Sequence, residues 1–164
     1  MSAFDLMIEN AVRAENLDAL PHRKAFYIIC ARDKNALPET LTNLEYKTYK
    51  DYLVIYTGKT SSLKNRRHFN GTARNSTLRK SLGSLLNLER EYFSDGKYKF
   101  SKRDEDFLSK WMTENLIMFY STNVQNLSAL ETHLIDKFNP PLNLDQNYSH
   151  INMEFRKYLS EKRK

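Results

Sequence analysis

Two short apolar runs constrain this chain most. Lys24 to Ala31 and Asp51 to Thr57 are dense in aromatic and β-branched side chains, a composition of strands. The second run, Asp51-Tyr52-Leu53-Val54-Ile55-Tyr56, leads into Gly58-Lys59, where the glycine is expected to end it. Arg66 follows in a polar segment predicted to be helical from about Ser62 to Phe69 and broken at Asn70-Gly71. A phenol, an ammonium and a guanidinium therefore gather just beyond one strand. That set suits a phosphodiester, with two cations for an anionic transition state and a phenol for proton work. What the set lacks is a carboxylate for a metal.

The rest of the chain reads as helices around a third strand. Phe4, Met7, Ile8, Ala11 and Val12 share one face at helical spacing and predict a helix over 3–18, closed by Pro21. Residues 33–50 are polar, contain Pro38, and read as a loop or excursion between the two strands. Ser76 is placed to cap a helix running to about Leu88, with Leu78, Leu82, Leu85 and Leu86 on its buried side. Asp104 is placed to cap a helix carrying Phe107, Leu108, Trp111 and Met112, and Leu116 to Tyr120 reads as a strand. A helix from Ser128 to Phe138 ends at Asn139-Pro140-Pro141, and a basic helix covers about 152–164. No repeat or linker divides the chain, so a single domain over 1–164 is expected.

Composition narrows the function. With 40% hydrophobic and 28% charged residues in 164, the chain can bury a core. Its 26 Lys and Arg against 20 Asp and Glu leave +6, which favours an anionic partner, nucleic acid foremost. The single cysteine, Cys30, rules out an internal disulfide and a multi-cysteine zinc site. No segment approaches a membrane span, and Asp5 and Glu9 interrupt the first residues as a secretory signal would not; a cytoplasmic protein without a membrane partner is expected. Gly58-Lys59-Thr60 resembles the end of a P-loop, but Leu53 stands where its first glycine belongs, so no nucleotide cofactor is expected.

Two further features have competing readings. Ser128-Ala129-Leu130-Glu131 has the spacing of a capping box, which by itself would assign Glu131 to its helix end. Arg79 and Lys80 lie in the first turn of the Ser76 helix, which opposes the helix dipole unless that end faces phosphate. With Arg74, Lys97, Lys99, Lys102 and Arg103 they form a candidate nucleic-acid track. The interleaved Tyr92, Phe93, Tyr98 and Phe100 either stack on unpaired bases or belong to the core. Among four histidines, only His68 lies near the basic cluster, a candidate for proton transfer.

Taken in order, Tyr27, Tyr56, Gly58, Lys59, Arg66, Glu131 and Asn143 resemble the pattern of the GIY-YIG nuclease superfamily. Ala25-Phe26-Tyr27 keeps only the tyrosine of the first motif; Tyr56-Thr57-Gly58 keeps the tyrosine and glycine of the second. Ser76-Thr77-Leu78-Arg79, Trp111-Met112 and Pro141-Leu142-Asn143-Leu144 are similar to a branch of uncharacterised bacterial members. The long separation of Tyr27 from Tyr56 implies an insertion at about 33–50, and the compressed basic segment leaves Arg67 or His68 as alternative occupants of neighbouring places. The resemblance implies an α/β sandwich with a three-stranded antiparallel sheet and helices around it. It also implies a DNA endonuclease, acting on single or double strands, with Mg²⁺ (or Mn²⁺) held by Glu131. Tyr27 or Tyr56 would act on the attacking water, Arg66 and Lys59 would stabilise charge, and Asn143 would brace the site. A non-catalytic basic module on the same fold is the alternative.

Overall fold

In the computed structural model, which describes residues 2–164, strand β2 (Ala25–Ala31) is buried along its whole length. An unbroken apolar strand needs cover on both faces, and it has it. Tyr27, Ile29 and Ala31 join a core with Leu78, Leu82, Leu108, Met112 and Leu159, whereas Phe26, Ile28 and Cys30 pack with Ile8, Leu130, Leu134 and Phe138. The result is three layers, helix–sheet–helix.

In chain order the elements are α1 (Ala3–Glu9), β1 (Val12–Arg13), β2, α2 (Glu39–Thr42), β3 (Thr48–Tyr49) and β4 (Tyr52–Thr60). There follow α3 (Thr77–Leu85), β5 (Arg90–Tyr92), β6 (Tyr98–Phe100), α4 (Lys102–Asn115), β7 (Leu116–Ser121), α5 (Leu127–Phe138) and α6 (Met153–Lys162). The main sheet is antiparallel, in the order β1-β7-β2-β4-β3, and β5 and β6 form a separate hairpin. It has five strands rather than the expected three. The three central ones are those legible in sequence; the two edge strands have two residues each.

One edge strand comes from the segment expected as a helix over 3–18. Helix α1 stops at Glu9, and Val12 and Arg13 pair instead with Tyr120 and Phe119 of β7. The other lies in the excursion after β2, where Lys50 and Asp51 both take positive φ to turn β3 tightly onto β4. The helix expected over 62–69 is a single 3₁₀ turn, Lys64–Arg66, ended by Arg67 at φ 43°. Ser76 caps α3 as expected, its Oγ accepting from the Arg79 amide at 3.1 Å, but the helix ends at Leu85. Ser101, not Asp104, caps α4, accepting from the Asp104 amide.

Strand β4 does not end at Gly58. It continues to Thr60 because β2 pairs with it as far as Ala25, which puts Tyr27 opposite Gly58. A Cβ at position 58 would lie 2.5 Å from Tyr27 Cζ and closer still to the hydroxyl, so the phenol ring can cross the strand only above a glycine. Past β3, the outer edge of β4 is met by the segment after α5. The Leu142 amide donates to the Ile55 carbonyl, and the Asn143 side chain accepts from Thr57 N at 2.9 Å and donates to Thr57 O at 2.8 Å.

Candidate active site

A cleft of about 450 Å³ opens at that edge of β4, lined by Tyr56 and Thr57, Thr77 of α3, Glu131 of α5, and Asn143. Glu131 is not engaged in the expected capping box, which is not formed. Asn126, in the left-handed region, precedes α5 without a side-chain cap bond, and the chain enters the helix before Ser128. Ser128 Oγ accepts instead from Lys59 Nζ at 3.0 Å, which holds the ammonium 3.7 Å from Glu131 Oε1. The pair is partly open, with side chains 36% and 20% exposed. Tyr56, half-buried, places its hydroxyl 2.9 Å from Thr77 Oγ1.

Behind Tyr56 lies a buried second group. The Tyr27 ring is centred 6.3 Å from that of Tyr56, and the His68 ring is 5.2 Å from Tyr27 and 5.7 Å from Tyr56. The Tyr27 hydroxyl lies 2.8 Å from His68 Nε2, and His68 Nδ1 lies 2.7 Å from Ser76 Oγ. Burial, then the nearby Arg66 and Arg79, hold the His68 imidazole well below its usual pKa, so it is neutral. Burial, then Tyr56, push the Tyr27 phenol well above its ordinary value, while Arg66 pulls against them. With one ring proton, the imidazole either accepts from Tyr27 and donates to Ser76, or the reverse. Arg66 donates to the Asn75 carbonyl at 2.9 Å and, with Tyr27, Arg67 and His68, lines a narrow hollow beside the cleft. It is Arg66 whose charge acts on Tyr27 and His68.

The expected basic track divides. Arg79 does not belong to it: it is fully buried and paired with Glu105 at 2.7 Å. Its guanidinium also donates to the carbonyls of His68 and Glu105 and to Ser109 Oγ, so no donor is left for phosphate. The unfavourable cation in the first turn of α3 is explained by that carboxylate. Through the His68 carbonyl, Arg79 helps seat the imidazole, a positioning role that the sequence did not reveal. Arg74 pairs with Asp95 and lies over Phe93, its Cζ 4.2 Å from the ring centre. Lys99 and Lys102 line a separate hollow with Thr72 and Glu105, and Lys102 pairs with Asp106. Arg103 is exposed on α4. Lys80 alone of this set lines the cleft, with Lys97 close enough to perturb it. Tyr98 and Phe100 are core, whereas Tyr92 and Phe93 are exposed. Ser76, Thr77 and Ser128, each holding a site side chain, were legible at most as helix-start residues.

A family model described as GIY-YIG catalytic domain matches residues 25–164, and the chain belongs to that family. No curated protein and no solved structure matches it. Membership suggests nuclease activity on nucleic acid, of a kind generally dependent on a divalent metal. Among the described residues, no three or more His, Cys, Asp or Glu side chains converge as a metal cluster. The donors present still fit Mg²⁺, which commonly keeps several waters and one or two carboxylates. Among the described residues, Glu131 accepts no hydrogen bond, and the hydroxyl of Thr57, another residue of the cleft, is buried without a partner. No helix among the described residues is long and apolar enough to cross a membrane.

Proposed function

We propose that the chain is an endonuclease that hydrolyses DNA phosphodiesters at the Tyr56–Glu131 cleft. The observation that carries this reading is the free carboxylate of Glu131, held beside Lys59 and facing the same cleft as a phenol. Glu131 would hold one Mg²⁺, which supplies polarisation of a phosphate oxygen and charge neutralisation at the leaving 3′ oxygen. Tyr56 borders the cleft and orients the attacking water. A free phenol titrates near pH ~10, so proton removal needs the help of the surrounding cations. Lys59 stands next to Glu131 to supply one, and Arg66 neutralises charge that develops on phosphorus-bound oxygens. Tyr27 and neutral His68 form a hydrogen-bonded dyad behind Tyr56, which fixes the Tyr27 ring in place. Asn143 fixes the β4 edge at Thr57 and so sets the positions of Tyr56 and Lys59.

The test is cleavage of matched single- and double-stranded oligonucleotides with Mg²⁺ and with chelator. Cleavage is expected with the metal alone, and Glu131→Gln should lose it at least a hundredfold while remaining folded. Arg66→Ala should lose about 10²–10³-fold. Full activity of Glu131→Gln, or cleavage indifferent to chelator, would refute the metal assignment. Salt-sensitive binding without any cleavage would favour the non-catalytic module.

A further inference from the structure

The cleft extends beyond the candidate site. From Tyr56 and Glu131 it continues past Thr77 to Lys80 on α3, Tyr98 on β6, and Ser160 and Arg163 at the end of α6. Its other lining carboxylate is Asp145, exposed in the loop after Asn143. Among the described residues, neither Lys80 nor Arg163 is within ion-pair distance of a carboxylate. They crowd each other instead. The Lys80 ammonium is shifted below its usual pKa by burial, then by Arg163, Lys97 and Arg74.

Cations at a helix C-terminus ordinarily answer its free carbonyls. Here carbonyls at that end of the chain are answered by other donors. Arg90 donates to the carbonyls of Lys162 and Lys164, and the Tyr98 hydroxyl donates to that of Arg163 at 2.7 Å. Among the described residues, the Arg163 guanidinium makes one long contact, 3.4 Å to Ser81 Oγ, and the Lys80 ammonium lies 5.7 Å above the Tyr98 ring without a hydrogen bond. An ammonium and a guanidinium thus face one cleft, close enough to repel, with donors unspent. A guanidinium fork and a point cation together match a phosphate.

We propose that Lys80 and Arg163 form a phosphate subsite that takes a second phosphodiester of the strand being cut. The strand then leaves the Tyr56–Glu131 cleft along α3 toward the end of α6, and does not run over the hollow at Lys99 and Lys102. This inference rests on the nuclease reading for the position of the scissile phosphate, but its binding test does not require cleavage.

The experiment measures binding of a fluorescent oligonucleotide, single-stranded and as a duplex, to Glu131→Gln protein across a salt series. The added pair Lys80→Gln with Arg163→Gln should weaken binding at least tenfold at low salt. It should also flatten the log–log salt slope by about one to two. Lys110→Gln, which removes a single charge from the exposed side of α4, should alter neither. A scan of single methylphosphonate links should find a position that weakens the parent and leaves the double variant indifferent. Lys80→Arg with Arg163→Lys keeps both charges and should restore binding, which separates loss of charge from loss of fold. Parent-like affinity and slope in the double variant, an equal effect of Lys110→Gln, or identical responses to every methylphosphonate would overturn the subsite. A parent that shows no salt-dependent binding overturns the subsite and the nuclease reading together. A wild-type chain that binds through Lys80 and Arg163 but never cleaves with Mg²⁺ upholds the subsite and overturns hydrolysis alone.

Discussion

The molecule contains two cation–glutamate pairs close to its chemistry, and they are unlike. Arg79 and Glu105 meet at 2.7 Å with side chains 0% and 7% exposed. Every lone pair is in use there: Glu105 Oε1 takes two guanidinium bonds, and Oε2 accepts from the amides of Ala73 and Phe100. Lys59 and Glu131 meet at 3.7 Å, partly open to solvent, and among the described residues Glu131 accepts no hydrogen bond. A carboxylate whose acceptor capacity is filled is architecture; one with spare capacity facing solvent can take a ligand. Charge and residue type do not distinguish the two cases, whereas hydrogen-bond saturation does.

The contrast predicts a graded series in folding stability. Arg79→Met should have the largest effect, leaving Glu105 buried and unpaired at a cost of about 3–5 kcal/mol, measured by denaturant unfolding. A loss near zero would mean that water reaches Glu105 and the network is not closed. Gly58→Ala should follow at about 1–3 kcal/mol, since the new methyl must displace the Tyr27 ring, and cleavage should fall with it. A variant as stable and active as the parent would show that the ring crossing at Gly58 is dispensable.

The next effect depends on pH. Because His68 is held neutral, the unfolded chain gains a proton that the folded one does not. Stability should therefore be full above the unfolded pKa of about 6.5 and fall as pH drops below it, by at most about 1.4 kcal/mol per pH unit. His68→Gln should remove that component of the acid slope; an unchanged slope would mean that His68 is protonated in the fold. Smallest of all, Glu131→Gln should shift stability by no more than about 0.5 kcal/mol, as expected for a partly exposed pair. A loss as large as that from Arg79→Met would make Glu131 structural.

The same contrast explains what was legible in the sequence. Strands β2, β4 and β7 announce themselves by composition because they are buried, and Ser76 announces α3 by its cap. Strands β1 and β3 carry too few residues for a pattern; they exist because β7 and β4 offer edges. The reach of β4 to Thr60 is set by its register with β2, which no local signal in Gly58-Lys59-Thr60 conveys. Of the candidate site, Tyr56, Lys59 and Glu131 were named by residue type and by resemblance, and the fold brings them into one cleft or ion pair. Arg79 was misassigned because its partner, Glu105, lies 26 residues away and on another helix. The capping box at Ser128 failed for the same kind of reason: the helix begins earlier, and Ser128 answers Lys59, 69 residues distant.

The amide of Asn143 has a consequence of another kind. An open strand edge invites pairing with the next molecule, and most proteins cover it. Here a further strand along the edge of β4 would close the cleft that Tyr56 and Glu131 line. Beside the Leu142 amide at Ile55, the Asn143 side chain imitates the donor and acceptor of a neighbouring strand at Thr57. The cleft beside Tyr56 stays open while the backbone groups of Thr57 are already engaged, so this stretch of β4 offers a second copy of the chain no free pair for intermolecular β-sheet.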